Sequence, residues 1–180
     1  GRALAAGMKY FVMSITGSLA MLVGVVLIYA TAGTLALADV AATVSASSSG
    51  FRLAVLLLFG LAFGVKNAVW PFHAWLPPAH SEAPSPFSAV LSGVLIKMGV
   101  YGFLLVMYVI VGAKGFLSLG WRLLPFHMIL SIIAAITIIV PTFIALMQTD
   151  AKRLLAWSTV AQAGYIFLGI SFGTSLGVAG

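Results

Sequence analysis

The chain contains no cysteine, so structural disulfides, cysteine-ligated zinc and iron–sulfur clusters are excluded within it. Acid is almost as scarce. Asp39, Glu82 and Asp150 are its only carboxylates, and they are too dispersed to form paired acids. No phosphate-binding loop and no nucleophile elbow occurs. These absences leave no case for soluble-type catalysis and assign the chain no catalytic residue, no cofactor site and no metal site. Charged residues make up 7 % and hydrophobic residues 62 %, against about 25 % and roughly 45–50 % in soluble domains. The lipid bilayer is therefore the solvent, and the chain is an integral membrane protein. The net charge of +6 then reads as basic residues in loops at the membrane surface, with no nucleic-acid partner.

A helix needs about 20 apolar residues to span a bilayer. The hydropathy pattern predicts five spans: 7–31, 51–70, 87–111, 123–147 and 151–172. Between the first two lies a polar Ala/Ser-rich stretch, 38-ADVAATVSASSSG-50, expected to be loop. The stretch 71-PFHAWLPPAHSEAPSP-86 holds five prolines, which one continuous helix cannot accommodate. It predicts a break, marked by Pro71, Pro77 and Pro78, then a short helical piece and a turn. The expected fold class is all-α: a single transmembrane domain over 1–180, with about five helices, one of them broken. No signal peptide is evident. The start at Gly1 without methionine and the end at Gly180 just after an apolar span read as a fragment of a longer polytopic protein. Arg2, Lys9, Lys152 and Arg153 fall on one side, and Arg52, Lys114 and Arg122 on the other. Four against three tips the first side towards the cytoplasm.

Lys66 and Lys97 interrupt long apolar runs. A lysine near the bilayer centre costs roughly 2.5–3.5 kcal/mol on insertion scales. Lys97 lies ~15–21 Å along its predicted helix from either end, beyond easy reach of the interface. Lys66 stands shortly before Pro71, where freed carbonyls and water can solvate an ammonium. The plainer alternative for each is a lysine at a helix end that snorkels to the interface. All three carboxylates fall in predicted loops, so none lies at mid-membrane depth to neutralise either lysine. Either the lysines are largely neutral or their counter-ion lies on a segment outside this sequence. Desolvation disfavours an ammonium and a nearby carboxylate favours it, so moving such a carboxylate would toggle the lysine's proton.

His73 and His80 flank the Trp75-Leu76-Pro77 turn. They read either as proton relays, since imidazole titrates near neutrality, or as groups that order the turn. Their spacing is not a metal motif. His127, near the start of the fourth span, fits either role. On the fourth span Ser131, Ala134, Ala135, Ile138, Thr142 and Ala145 form a mostly small stripe suited to close helix contact. On the fifth, Ser158, Gln162, Tyr165 and Gly169 follow helical spacing as a polar stripe. It would serve interhelical hydrogen bonding or line a water-filled path.

The run 64-GVKNAVWPFHAWLPPAHSEAPSPFSAVLSGVLIKMGVYG-102 resembles the signature of the antiporter-like subunits of respiratory complex I. Those subunits share a family with the large subunits of Mrp-type cation/proton antiporters and the membrane arms of energy-converting hydrogenases. The segment 146-LMQTDAKRLLAWSTVAQAGY-165 is similar to the family's next helix pair, and 5-AAGMKYFVMS-14 fits the helix before the signature. The resemblance covers nearly the whole chain, as the central helices of a larger bundle. It implies that Lys66 matches the lysine of the family's broken helix, read there as the central proton carrier. It implies that Lys97 matches the lysine, or histidine in some members, that passes protons onward. The family pairs its broken-helix lysine with a glutamate on a preceding helix, which agrees with the missing counter-ion. Ala-Pro-Ser-Pro followed by Ser-Ala-x-Leu-Ser-Gly-Val leans towards the hydrogenase and Mrp-like branches.

The leading expectation is a proton-translocating membrane subunit of a redox-driven complex, an NADH-quinone oxidoreductase or a hydrogenase. As an enzyme component it would be a non-redox subunit. Its proton pathway would use the buried lysines Lys66 and Lys97, with His73, His80, Gln162 and Tyr165 as further candidates and no cofactor in this chain. Partners would be other membrane subunits, protons or sodium ions, and lipid. The location would be a prokaryotic cytoplasmic membrane. The alternatives are an Mrp-type antiporter subunit without redox chemistry and a purely structural membrane bundle.

Overall fold

In the computed structural model residues 1–112, 119–121, 124–174 and 177 are described. Lys114, Arg122 and the expected start of the fourth span at Leu123 lie outside them. Helix α1 runs Arg2–Ala32, α2 Leu37–Ala46 and α3 Ser49–Lys66. A single 3₁₀ turn, Phe72–Trp75, leads into the short α4, Leu76–Glu82. Helix α5 covers Ser85–Ile110 and contains two wide π turns, Leu91–Leu95 and Leu105–Ile110. A two-residue antiparallel ladder pairs Gly120–Trp121 with Leu124–Pro125. Helices α6, Phe126–Leu146, and α7, Ala151–Ser171, complete the bundle. Among the described residues five helices, α1, α3, α5, α6 and α7, are long and apolar enough to cross a membrane.

The stretch expected as polar loop is largely helix α2. Val40 and Val44, one turn apart, are both buried against the bundle. The Thr43, Ser45 and Ser47 hydroxyls donate back to carbonyls three or four residues earlier, so the polar side chains cost the helix little. Two of the three carboxylates consequently stand on helices: Asp39 in the first turn of α2 and Glu82 at the end of α4. Asp150 caps α7, its carboxylate accepting from the Lys152 N–H at 2.9 Å and satisfying one free donor of the first turn.

Without a hydrophobic drive between helices in lipid, contact rests on close packing and interhelical hydrogen bonds. Helices α6 and α7 show both. A Cβ on Gly164 would stand 3.0 Å from the Ile138 nitrogen and 3.1 Å from the Ala134 oxygen, so only glycine permits this approach. Ser131 Oγ bonds Ser171 Oγ across the pair at 2.8 Å. Within the small stripe, Ala134 and Ala145 are buried, whereas Thr142 is exposed. The main core is built around Phe59, Phe63, Phe103 and Phe167, with Phe103 and Phe167 ring centroids 4.8 Å apart. A second cluster joins the break to α5 and α7: Ala68, Trp75, Leu76, Leu91, Ile96, Val160 and Ala163.

Candidate functional site

The second span ends at Lys66, four residues before the apolar run does. The cause is local. Ala68 adopts a left-handed conformation at φ 51°, which costs an L-residue roughly 1–2 kcal/mol. The Val69 N–H bonds the Gly64 carbonyl at 3.0 Å and the Ala68 N–H bonds the Val65 carbonyl at 3.2 Å. This is a Schellman closure with alanine where glycine is usual. The Trp75 indole N–H adds a bond to the Val65 carbonyl at 2.9 Å. From α6, the Thr137 hydroxyl accepts the Trp70 N–H at 3.0 Å. The break therefore spans Asn67 to Pro71. Pro77 and Pro78 do not interrupt a helix; they stand in the first turn of α4, where a missing N–H costs nothing.

Lys66 thus sits at the negative end of a helix dipole, which favours a cation. It borders a cavity of about 120 Å³ lined also by Tyr10, Ser14, Trp75, Leu91 and Ile96. Among the described residues no carboxylate lines this cavity. Lys97 lies two residues beyond the wide turn Leu91–Leu95, near the middle of α5. The expectation of buried lysines is not shown by this segment: among the described residues both side chains are exposed. Lys66 keeps the helix-end position of the plainer reading; Lys97 does not. Its neighbours Val94, Met98 and Tyr101 are exposed with it. Lysine against acyl chains at this depth is costly, so this face of α5 calls for water or further protein over it.

One residue that sequence reasoning passed over joins the two lysine-bearing segments. Asn67, fully buried, donates through Nδ2 to the Phe63 carbonyl at 2.8 Å. Its Oδ1 has no hydrogen-bond partner among the described residues and lies against Gly99, where a Cβ would meet it at 2.7 Å. The residue after Lys66 is thereby packed on the residue two beyond Lys97.

The other candidates separate into distinct places. His80 is 4 % exposed, its Nε2 without a partner among the described residues, and it lines a second cavity of about 390 Å³. Gln162, Ser158, Ser88, Ser92 and Lys152 line the same space. The Ser88 hydroxyl donates to the His80 carbonyl and the Lys152 ammonium to the Ala83 carbonyl, each at 3.1 Å, which secures the end of α4. The series Ser85, Ser88, Ser92 on an otherwise apolar helix was a readable signal for this lining. His73 packs its ring against Trp157 at 5.6 Å. Tyr165 is exposed, and neither it nor His73 lines either cavity. Burial pushes both the His73 and the His80 imidazole below the ordinary 6.5, leaving both neutral at pH 7.

Residues 1–180 match the family model described as NADH:quinone oxidoreductase/Mrp antiporter, transmembrane. The chain belongs to this family. Among the family's curated members, NADH-quinone oxidoreductase subunit M of Rhodobacter capsulatus is 37 % identical over 97 % of this chain and 35 % of its own length. Hydrogenase-4 component B of Escherichia coli K12 is 39 % identical over 92 % of this chain and 23 % of its own. A chain of the membrane-bound sulfane sulfur reductase, an archaeal respiratory membrane complex, superposes with a TM-score of 0.84 at 39 % identity. That match covers 97 % of this chain and 29 % of the other. The chain thus spans about a third or less of the proteins it matches.

Proposed function

We propose that the chain is the central part of a proton-translocating, non-redox membrane subunit of a redox-driven complex in a prokaryotic cytoplasmic membrane. The observation that carries this reading is the pair of lysines on neighbouring, interlocked elements. Lys66 ends a broken helix beside a small cavity, and Lys97 follows a wide turn at mid-span. Asn67 and Gly99 hold the two segments together. Relatives named as subunits of oxidoreductase and hydrogenase complexes support the redox setting, with electron transfer in partner subunits. Their membrane subunits would cover the exposed lysine face and supply its counter-charge. His80 and Gln162 are proposed as further pathway residues. His73 and Tyr165 are secondary, since neither lines a cavity with a lysine.

The test is Lys97→Ala and Lys66→Ala in the full-length protein, assembled in its complex and reconstituted in proteoliposomes. The expected result is normal assembly with acidification reduced at least tenfold. Undiminished acidification would remove the transport role. The family description also names Mrp antiporters, which favours a second reading: cation/proton exchange without redox chemistry. It predicts proton movement driven by an imposed sodium gradient in the same vesicles.

A further inference from the structure

A further cavity, of about 230 Å³, lies between α3 and α6. Its α3 wall falls within residues 56–64 and its α6 wall within residues 126–133, which makes it a crevice ~10–12 Å long at 1.5 Å per residue. The buried rings of Phe103 and Phe167 line it from α5 and α7. Towards the break it meets Val69, Trp70 and Phe72, where Trp70 bonds Thr137 one turn beyond Ile133. Apart from the Trp70 indole, no lining side chain has a polar atom. Leu57 and Trp70 are exposed, so the crevice opens on the outer face of the bundle.

We propose that this crevice seats one acyl chain of a phospholipid with a net negative headgroup, and that Arg52 holds the phosphate.

The occupant follows from dimensions and charge. The lining offers water none of the two to four polar partners it requires, so what fits is hydrocarbon. A volume of about 230 Å³ over the length of the crevice gives a channel roughly 5 Å across, too narrow for a helix about 10–12 Å in diameter. A neighbouring helix could lie over the opening but not enter it. A cavity of about 150 Å³ admits benzene, so this one takes a chain segment on the order of nine carbons.

Charge fixes the other end. Arg52 stands one turn before Leu56, on the stripe that continues through Gly60 and Gly64. It lies in the first turn of α3, whose free N–H groups also favour an anion, next to the exposed residues Ser48, Ser49 and Gly50. Helical side chains lean towards the N-terminus, which carries the guanidinium from the crevice towards the membrane surface. Its Nε is buried, and nothing among the described residues pairs with the group. A guanidinium keeps its charge and matches phosphate oxygens two at a time. No carboxylate lines the crevice among the described residues, so a zwitterionic headgroup would leave its ammonium beside Arg52 without a counter-charge. A net negative headgroup does not.

The test uses the full-length protein assembled in its complex, in nanodiscs of phosphatidylcholine with a trace of phosphatidylglycerol carrying a diazirine in mid-chain. After illumination, peptide mass spectrometry is expected to find adducts on residues 57–61 or 129–133. Replacing a third of the phosphatidylcholine by unlabelled phosphatidylglycerol is expected to reduce them at least fivefold. The same replacement by phosphatidylethanolamine, which is zwitterionic, is expected to leave them unchanged. Absence of adducts in the crevice would mean that protein covers it, and equal competition by the two lipids would mean ordinary boundary lipid; either result overturns the proposal. Arg52→Gln is expected to lower the adducts at least fivefold and Arg52→Lys to retain at least half. Unchanged adducts in an assembled Arg52→Gln complex overturn the role of Arg52; if that variant does not assemble, the lipid competition decides. No arm depends on turnover, so these outcomes stand apart from the lysine variants.

Discussion

Gly99→Ala probes the contact that brings the two lysine segments together. The added methyl would lie 2.7 Å from Asn67 Oδ1, 3.0 Å from Nδ2 and 3.1 Å from Cγ. The amide cannot simply swing away, because Nδ2 is held by the Phe63 carbonyl and the side chain is fully buried. Overpacking of this kind costs roughly 1–3 kcal/mol. Alanine in place of glycine within a helix returns about 1 kcal/mol, so the net loss is about 0–2 kcal/mol. The single variant is therefore a weak test, and the cycle with Asn67→Ala is the strong one. With the amide gone the three nearest atoms to the methyl are removed, and Gly99→Ala should stabilise by up to about 1 kcal/mol through propensity. The expected coupling is about 1–3 kcal/mol, read from reversible unfolding of the four full-length proteins in mixed micelles. A coupling below about 0.3 kcal/mol would refute the Asn67–Gly99 contact and the account of how Lys66 and Lys97 are held as neighbours.

Thr137→Val removes the hydroxyl that accepts the Trp70 N–H and leaves a partly buried donor unpaired, at a cost of about 1–3 kcal/mol; thermal unfolding in detergent should show the loss and Thr137→Ser should restore it. His80 supplies a pH prediction. Its imidazole is held below 6.5 by burial, so the unfolded chain binds more protons than the native one as pH falls below that value. Stability is full above about pH 6.5 and declines on acidification, and His80→Gln should flatten that slope in melting curves between pH 7 and pH 5. An unchanged slope would place the acid sensitivity elsewhere.

Much of this fold is legible because a bilayer leaves the backbone few choices: runs of apolar residues must form helices that satisfy their own polar groups. The broken helix was equally readable, since five prolines exclude a continuous one. Its position was not. Hydropathy carries the span on to Trp70, but the stop at Lys66 depends on Ala68 in a conformation that its residue type disfavours, held by Trp75 and Thr137 from elsewhere in the chain. Such a stop is a tertiary effect with no local signature. Helix α2 was missed for the opposite reason. Serine and threonine look like loop formers by composition, yet here their hydroxyls bond the helix's own carbonyls while Val40 and Val44 bury the opposite face. The lysines were legible as residues but their burial was not, because a charge within an apolar run does not reveal what covers its face.

The means by which Lys66 is positioned bear on what it can do. The groups that fix the break are an indole N–H, a threonine hydroxyl, an asparagine amide and main-chain bonds. None of these carries a formal charge. A salt bridge in their place would tie the geometry of the break to the protonation state of the lysine, since losing one partner of a buried pair costs several kcal/mol. A neutral framework does not impose that link. On the proposed relay, the backbone around the lysine would keep its shape while the counter-charge beside it changes. Two residues beyond Lys97, the contact of Asn67 against Gly99 is also uncharged. A neutral framework beside both lysines is what the proposed relay would require.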